Sequence, residues 1–125
     1  MEVKEAMKQP YVIDKDCKLD KLADIMSSKN ISSVIYVNKE KVVGIITEGD
    51  LIRNFHKSKS ASDVMTKNVI TISEESSLDE ALQLMREHGI KKLPVIDEKS
   101  ALTGILSLTD IAANVESLDE DFFFD

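Results

Sequence analysis

Residues 44–50 read Gly44-Ile45-Ile46-Thr47-Glu48-Gly49-Asp50, and residues 104–110 read Gly104-Ile105-Leu106-Ser107-Leu108-Thr109-Asp110. Both are a glycine, two apolar residues, a hydroxyl and, three positions on, an aspartate. The match extends outward. Val3-Lys4-Glu5-Ala6-Met7 lies over Ala61-Ser62-Asp63-Val64-Met65, Leu19-Asp20 over Leu78-Asp79, Met26 over Met85 and Ile31 over Ile90. The offset drifts only from 58 to 60, with a one-residue difference in a turn. Ordered identities with a common periodicity mark an internal duplication.

Each half reads alike. Leu19, Leu22, Ala23 and Met26 fall at i, i+3, i+4, i+7, as do Leu78, Ala81, Leu82 and Met85, giving one apolar helical stripe per half. Asn30 and Gly89 stand where a left-handed C-terminal cap is needed. Runs at Val34–Val37 and Leu93–Ile96, polar turns at Asn38–Lys41 and Asp97–Ser100, and second runs at Val42–Thr47 and Leu102–Ser107 predict β-hairpins. Short helices follow near Gly49–Phe55 and Thr109–Val115, and Tyr11–Ile13 and Ile70–Ile72 open the halves as strands. The unit is β-α-β-β-α, preceded by a helical turn at Val3–Met7 or Ala61–Met65. The fold class is α/β. Repeat 1 spans 1–57, repeat 2 spans 58–115, and 116–125 form a tail. Units of this size bury their apolar faces poorly alone, so the repeats are expected to share a core about a pseudo-two-fold axis.

The chain has 125 residues and a net charge of −7. Glu116, Asp119, Glu120, Asp121 and Asp125 place −5 of that in the tail and leave −2 for residues 1–115. A nearly neutral folded part disfavours nucleic acid and anionic membrane as direct partners. No apolar run approaches the roughly 18–20 residues of a membrane span. A lone cysteine, Cys17, cannot form an internal disulfide, and Met1–Glu5 carries no apolar signal segment. A cytoplasmic home is expected.

Taken in order and twice over, these motifs resemble a tandem pair of CBS (cystathionine-β-synthase-type) domains, a Bateman module. The residues carrying the likeness are Asp63-Val64-Met65-Thr66, Leu78-Asp79-Glu80-Ala81-Leu82, Leu93-Pro94-Val95-Ile96-Asp97 and the two Gly-apolar-apolar-Thr/Ser-x-x-Asp copies. The resemblance implies a regulatory sensor of the energy-sensing kind, holding AMP, ADP, ATP or S-adenosylmethionine in clefts between the repeats. It implies that Asp50 and Asp110 are ribose carboxylates with Thr47 and Ser107 as helpers. A carboxylate can accept from both ribose hydroxyls, and a charged acceptor makes the stronger bond. The same pattern is also a helix capping box, and the two roles are compatible.

Adenine needs an apolar slot edged by backbone groups. Candidates are Tyr11, Val12, Ile13 and Ile45, and Ile70, Thr71, Ile72, Pro94 and Ile105, many of which also suit a plain core. Phosphates need cations or free N–H groups. Arg53, His88, Lys91 and Lys92 are the candidates, Lys91-Lys92 standing where the first repeat has Ser32-Ser33. The repeats are therefore expected to differ in affinity or phosphate preference.

The P-loop pattern is absent, His56 and His88 lack paired ligand spacing, and no catalytic cofactor, metal site or enzymatic role is expected. The family likeness implies a flat homodimer. With no effector domain in this length, output is expected to pass to a separate, unidentified effector protein. Phe122-Phe123-Phe124 in the acidic tail read as a segment folded back on the domain or a dimer mate, or as a docking peptide. Rival readings are a ligand-free interaction module and an enzyme acting on nucleotides.

Overall fold

A computed structural model describes residues 1–57 and 59–114; Val115 and the Glu116–Asp125 tail, with the readings placed on them, lie outside the described residues. Two compact units emerge, one formed by Tyr11–Val69 and the other by Met1–Pro10 together with the chain from Ile70 on.

In the Tyr11–Val69 unit, β1 (Val12–Ile13) runs parallel to β2 (Ser33–Asn38), which pairs antiparallel with β3 (Lys41–Thr47). Helix α2 (Leu19–Lys29) covers the sheet, α3 (Glu48–Asn54) leaves the end of β3, and α4 (Ala61–Val64) closes the unit. Leu19, Leu22 and Met26 of the expected stripe are buried with Val34, Ile46 and Ala61, and Tyr11, Ile13 and Cys17 pack against them. The predicted cap holds, since Asn30 ends α2 in the left-handed region at φ 53°. The hairpin between β2 and β3 turns through Lys39 and Glu40, both at positive φ. That geometry matches the right-handed twist of the flanking strands.

The other unit repeats the plan. Strand β4 (Ile72–Ser73) is parallel to β5 (Lys92–Ile96), which is antiparallel to β6 (Leu102–Ser107). Helices α5 (Leu78–His88) and α6 (Leu108–Ala112) flank them. Leu78, Ala81, Leu82 and Met85 join Val3, Ile72, Leu93, Val95, Leu106 and Ile111 in a continuous core. Gly89 caps α5 at φ 63°. Its hairpin is one residue longer, with Asp97 Oδ1 accepting from the N–H groups of Lys99 and Ala101 at 2.9 and 3.0 Å. This is the one-residue offset seen between the repeats.

The helical turns that precede each repeat have exchanged places. Helix α1 (Val3–Ala6) belongs to the unit containing β6, where Val3 N–H donates to Ser76 O at 2.7 Å and Val3 is fully buried. Its counterpart α4 packs in the unit containing β3, where Ala61 N–H donates to Cys17 O at 2.8 Å. The motif glycines receive these segments. A Cβ on Gly104 would lie 2.8 Å from Met7 Cγ, and one on Gly44 2.7 Å from Met65 Cγ. Any side chain here would have to displace these methionines, so glycine lets the segments sit close.

Candidate functional site

Each motif aspartate sits three residues past the end of a hairpin strand, at position N3 of the following helix. In the first copy, Thr47 N–H donates to Asp50 Oδ2 at 2.9 Å and the Thr47 hydroxyl donates to the same oxygen at 3.2 Å. In the second, Ser107 N–H donates to Asp110 Oδ2 at 2.9 Å, while Asp110 N–H donates to Ser107 Oγ at 3.1 Å. The capping reading and the carboxylate placement therefore coexist, as the chemistry allows. Asp50 and Asp110 are only 7 % and 6 % exposed. Such a burial is tolerable for a carboxylate only when it is paired and hydrogen-bonded.

The second oxygen of each carboxylate holds a cation. Arg53 Nη2 lies 2.5 Å from Asp50 Oδ1, and Lys8 Nζ lies 3.1 Å from Asp110 Oδ1. Burial pushes the Asp110 carboxyl up. The Ser107 backbone and hydroxyl bonds and the Lys8 ammonium outweigh burial and hold the group below its ordinary value. Two asparagines complete the junctions: Asn54 Nδ2 donates to Asp50 O at 2.7 Å and Asn114 Nδ2 to Asp110 O at 2.8 Å. Both stand four residues after their aspartate, a match legible in the repeat alignment. The repeat pattern does not single out Lys8, because the duplication sets it over Thr66, which carries no charge.

Strand register sorts the apolar candidates. Val12 pairs with Ile35 and Ile35 with Ile45 in one row across the first sheet. Val34 and Ile46, a register step away, face the helix-packed core, so the Val12–Ile35–Ile45 row lies on the opposite face. Thr47 is two residues beyond Ile45 and shares that face. In the second sheet Leu93 and Leu106 face the core. The Pro94–Ile105 and Lys92–Ser107 pairs therefore lie together on the other face. Tyr11 and Ile13 pack against one core, and Ile70 and Ile72 belong to or pack against the other. Lys29 adds a cation over the Tyr11 ring, 5.5 Å from its centroid. Thr71 is half-buried between the two isoleucines.

Among the phosphate candidates, Arg53 lies on Asp50. Lys92 is the register partner of Ser107, and Lys91 O accepts from Leu108 N–H at 2.9 Å, so both stand at the Asp110 junction. His88 is exposed at the end of α5. The equivalent backbone bond in the first copy comes from Ser32, whose O accepts from Glu48 N–H at 3.1 Å. Hence the Asp110 junction gathers three lysines where the Asp50 junction has one arginine and two serines. Among the described residues no group of three His, Cys, Asp or Glu side chains is placed to hold a metal ion, and no helix is long and apolar enough to cross a membrane.

A duplicated β-α-β-β-α unit, with a hydroxyl and a near-buried carboxylate at the same strand-to-helix junction in each copy, defines a tandem small-domain module of α/β class. The CBS domain family model matches residues 3–57 and 61–117, and the chain belongs to that family as a pair of domains in tandem. Inosine-5′-monophosphate dehydrogenase of Nitrosopumilus maritimus is 37 % identical over 112 residues, covering 88 % of this chain and 23 % of that enzyme. Protein MK0525 of Methanopyrus kandleri is 40 % identical over 93 residues, covering 69 % of this chain and 47 % of its own length. The chain thus spans less than half of either relative, and only the CBS part of the dehydrogenase is matched. The CBS domain pair of protein MJ0100, in complex with 5′-methylthioadenosine and S-adenosyl-L-methionine, superposes with a TM-score of 0.84 at 28 % identity, over 93 % of this chain and 96 % of that one. Protein PAE2072 of Pyrobaculum aerophilum, complexed with AMP, shares the fold at a TM-score of 0.82 and 18 % identity, over 94 % of this chain and all of that one.

Proposed function

We propose that this CBS pair is a regulatory binding protein, not an enzyme, that takes an adenosine-containing nucleotide through its ribose hydroxyls on Asp50 and Asp110. The observation that carries this reading is the state of the two carboxylates. Each is almost buried, with one oxygen fixed by the backbone of its own junction and the other held by a side chain that is largely exposed. The fixed oxygen orients the group, and the other is available to an incoming diol once its cation is exchanged. The Thr47 and Ser107 hydroxyls, and the apolar faces carrying Val12 and Ile45 or Pro94 and Ile105, supply helpers and walls for ribose and adenine. AMP, ADP, ATP and S-adenosylmethionine remain in competition as ligands; among the structural relatives one is a complex with 5′-methylthioadenosine and S-adenosyl-L-methionine and another a complex with AMP.

Ligand occupancy acts on a partner only if two states of the protein bind it unequally. The chain is proposed to deliver that difference as a homodimer to a separate effector. Ile52 and Phe55, 69 % and 70 % exposed on and just after α3, support an interface there. A second reading, a ligand-free interaction module, draws on the same geometry, since both carboxylates are satisfied by internal partners without any ligand.

Thermal unfolding of the purified chain with AMP, ADP, ATP, S-adenosylmethionine and GTP separates the two. A ligand at about 100 times its Kd adds roughly 2.7 kcal/mol, a shift of several degrees at this size. A shift with an adenosine ligand and none with GTP supports the sensor. No shift with any of them at millimolar concentration refutes it in favour of the interaction module.

A further inference from the structure

The two carboxylates differ in where their cation comes from. Arg53 is on the same helix as Asp50, one turn on, and its guanidinium lies across Gly49, where an added Cβ would stand 3.1 Å from Nη1. The second repeat has Ala113 and Thr109 at those places and cannot build this clamp. Its cation arrives on the exchanged N-terminal segment. The Lys8 N–H donates to Ile105 O and Ile105 N–H donates to Lys8 O, both at 2.9 Å, which fixes the Lys8 backbone beside β6. The side chain is 76 % exposed, yet its ammonium rests on Asp110 Oδ1. Thr66 makes the same backbone bridge to Ile45 in the other unit and brings no charge.

A ribose diol bound at Asp110 must share or take over Oδ1, because Ser107 N–H already holds Oδ2. The ammonium then loses part of its ion pair with a near-buried carboxylate. An uncharged nucleoside gives it nothing in return. A sulfonium ligand adds a further positive charge beside it. A ligand carrying phosphate offers a new anion within reach of a flexible four-carbon stem, on a face where Lys92 is the register partner of Ser107 and Lys91 adjoins it.

Resting on the reading of Asp110 as a ribose carboxylate, we propose that Lys8 is the specificity-determining residue of this junction, selecting phosphorylated adenosine ligands over uncharged or cationic ones.

The test is a titration of the full chain followed by two-dimensional amide NMR, reading the Ser107, Thr109 and Asp110 signals with AMP, adenosine and S-adenosylmethionine. The same spectra report that each variant is folded. In the wild-type chain AMP binds about tenfold or more tighter than adenosine, the scale of one charge-assisted bond. Lys8→Met reduces that preference about tenfold, by weakening AMP while leaving adenosine unchanged or tighter, and Lys8→Arg restores part of it. Binding of both compounds with an unaltered ratio in Lys8→Met overturns the role of Lys8 and leaves the ribose reading standing. If no adenosine compound moves these signals, both fall together.

Discussion

Gly104→Ala tests the exchange of segments most directly. The added methyl would meet Met7 Cγ at 2.8 Å and the Lys8 carbonyl oxygen at 3.2 Å. Met7 must swing aside, at a cost that a flexible thioether lowers but does not remove. The carbonyl must give by a few tenths of an ångström, against the two bonds that tie Lys8 to Ile105. The methyl must therefore displace Met7 and strain the Lys8–Ile105 pairing, and overpacking of this kind costs about 1–3 kcal/mol. For a chain of this length that lowers Tm by roughly 4–12 °C, taking about 4 °C per kcal/mol. Calorimetric unfolding of Gly104→Ala, Met7→Ala and the double variant forms a cycle. Met7→Ala removes the atom nearest the methyl, so the double variant should be less damaged than the sum of the singles by about 1 kcal/mol. Strict additivity, or a Gly104→Ala variant as stable as wild type, would refute the placement of Met7 and Lys8 on β6.

Asp110 carries a pH dependence whose sign is set by its lowered pKa. Its folded value lies below the unfolded value, so its stabilisation is present above about pH 4 and disappears as pH falls through the folded value. Asp110→Asn should be less stable than wild type at pH 7 and should converge with it in acid, read as Tm against pH; parallel curves down to pH 2 would contradict the lowered pKa. Glu40 occupies the second positive-φ position of the first hairpin turn, where glycine is preferred. Glu40→Gly should raise stability by about 0.5 kcal/mol, the relief of left-handed strain being larger than the added freedom of the unfolded chain; a lower urea midpoint would show that the Glu40 side chain makes a contact worth more than the strain.

Most of the fold was legible because the duplication doubled every signal. The apolar stripes at Leu19–Met26 and Leu78–Met85, the caps at Asn30 and Gly89 and both hairpins fall where periodicity and turn chemistry put them. The destination of Val3–Met7 was not legible. A segment next to its own repeat in sequence packs with the other one, and nothing in local propensity encodes which of two similar sheets receives it. The roles of the apolar candidates were legible only as a set. Register, which decides that Ile13 and Ile72 pack with cores while Ile45 and Ile105 face away from them, depends on pairing across strands. Lys8 was hidden for the same reason as the exchange, since it reaches Asp110 only by leaving its own repeat.

Duplication makes two junctions with one backbone plan, and divergence then acts on the few side chains the plan leaves free. The hydroxyl, the aspartate and the asparagine four residues on are fixed in both copies because they tie strand end to helix start. The counter-cation is not fixed by that geometry. One copy recruits it from within its helix, where the guanidinium lies across Gly49, and the other recruits it from the exchanged N-terminal segment. In the first arrangement the cation stays on the helix that presents the carboxylate. The second ties the availability of Asp110 to the N-terminal segment. On the proposed reading, a ligand that draws Lys8 off Asp110 removes one of the contacts that hold residues 1–10 to β6, beside the backbone bonds with Ile105 and the packing of Met7 on Gly104. The two junctions thus differ in where the counter-cation originates, and on the proposed reading that difference is what makes their ligand responses unequal.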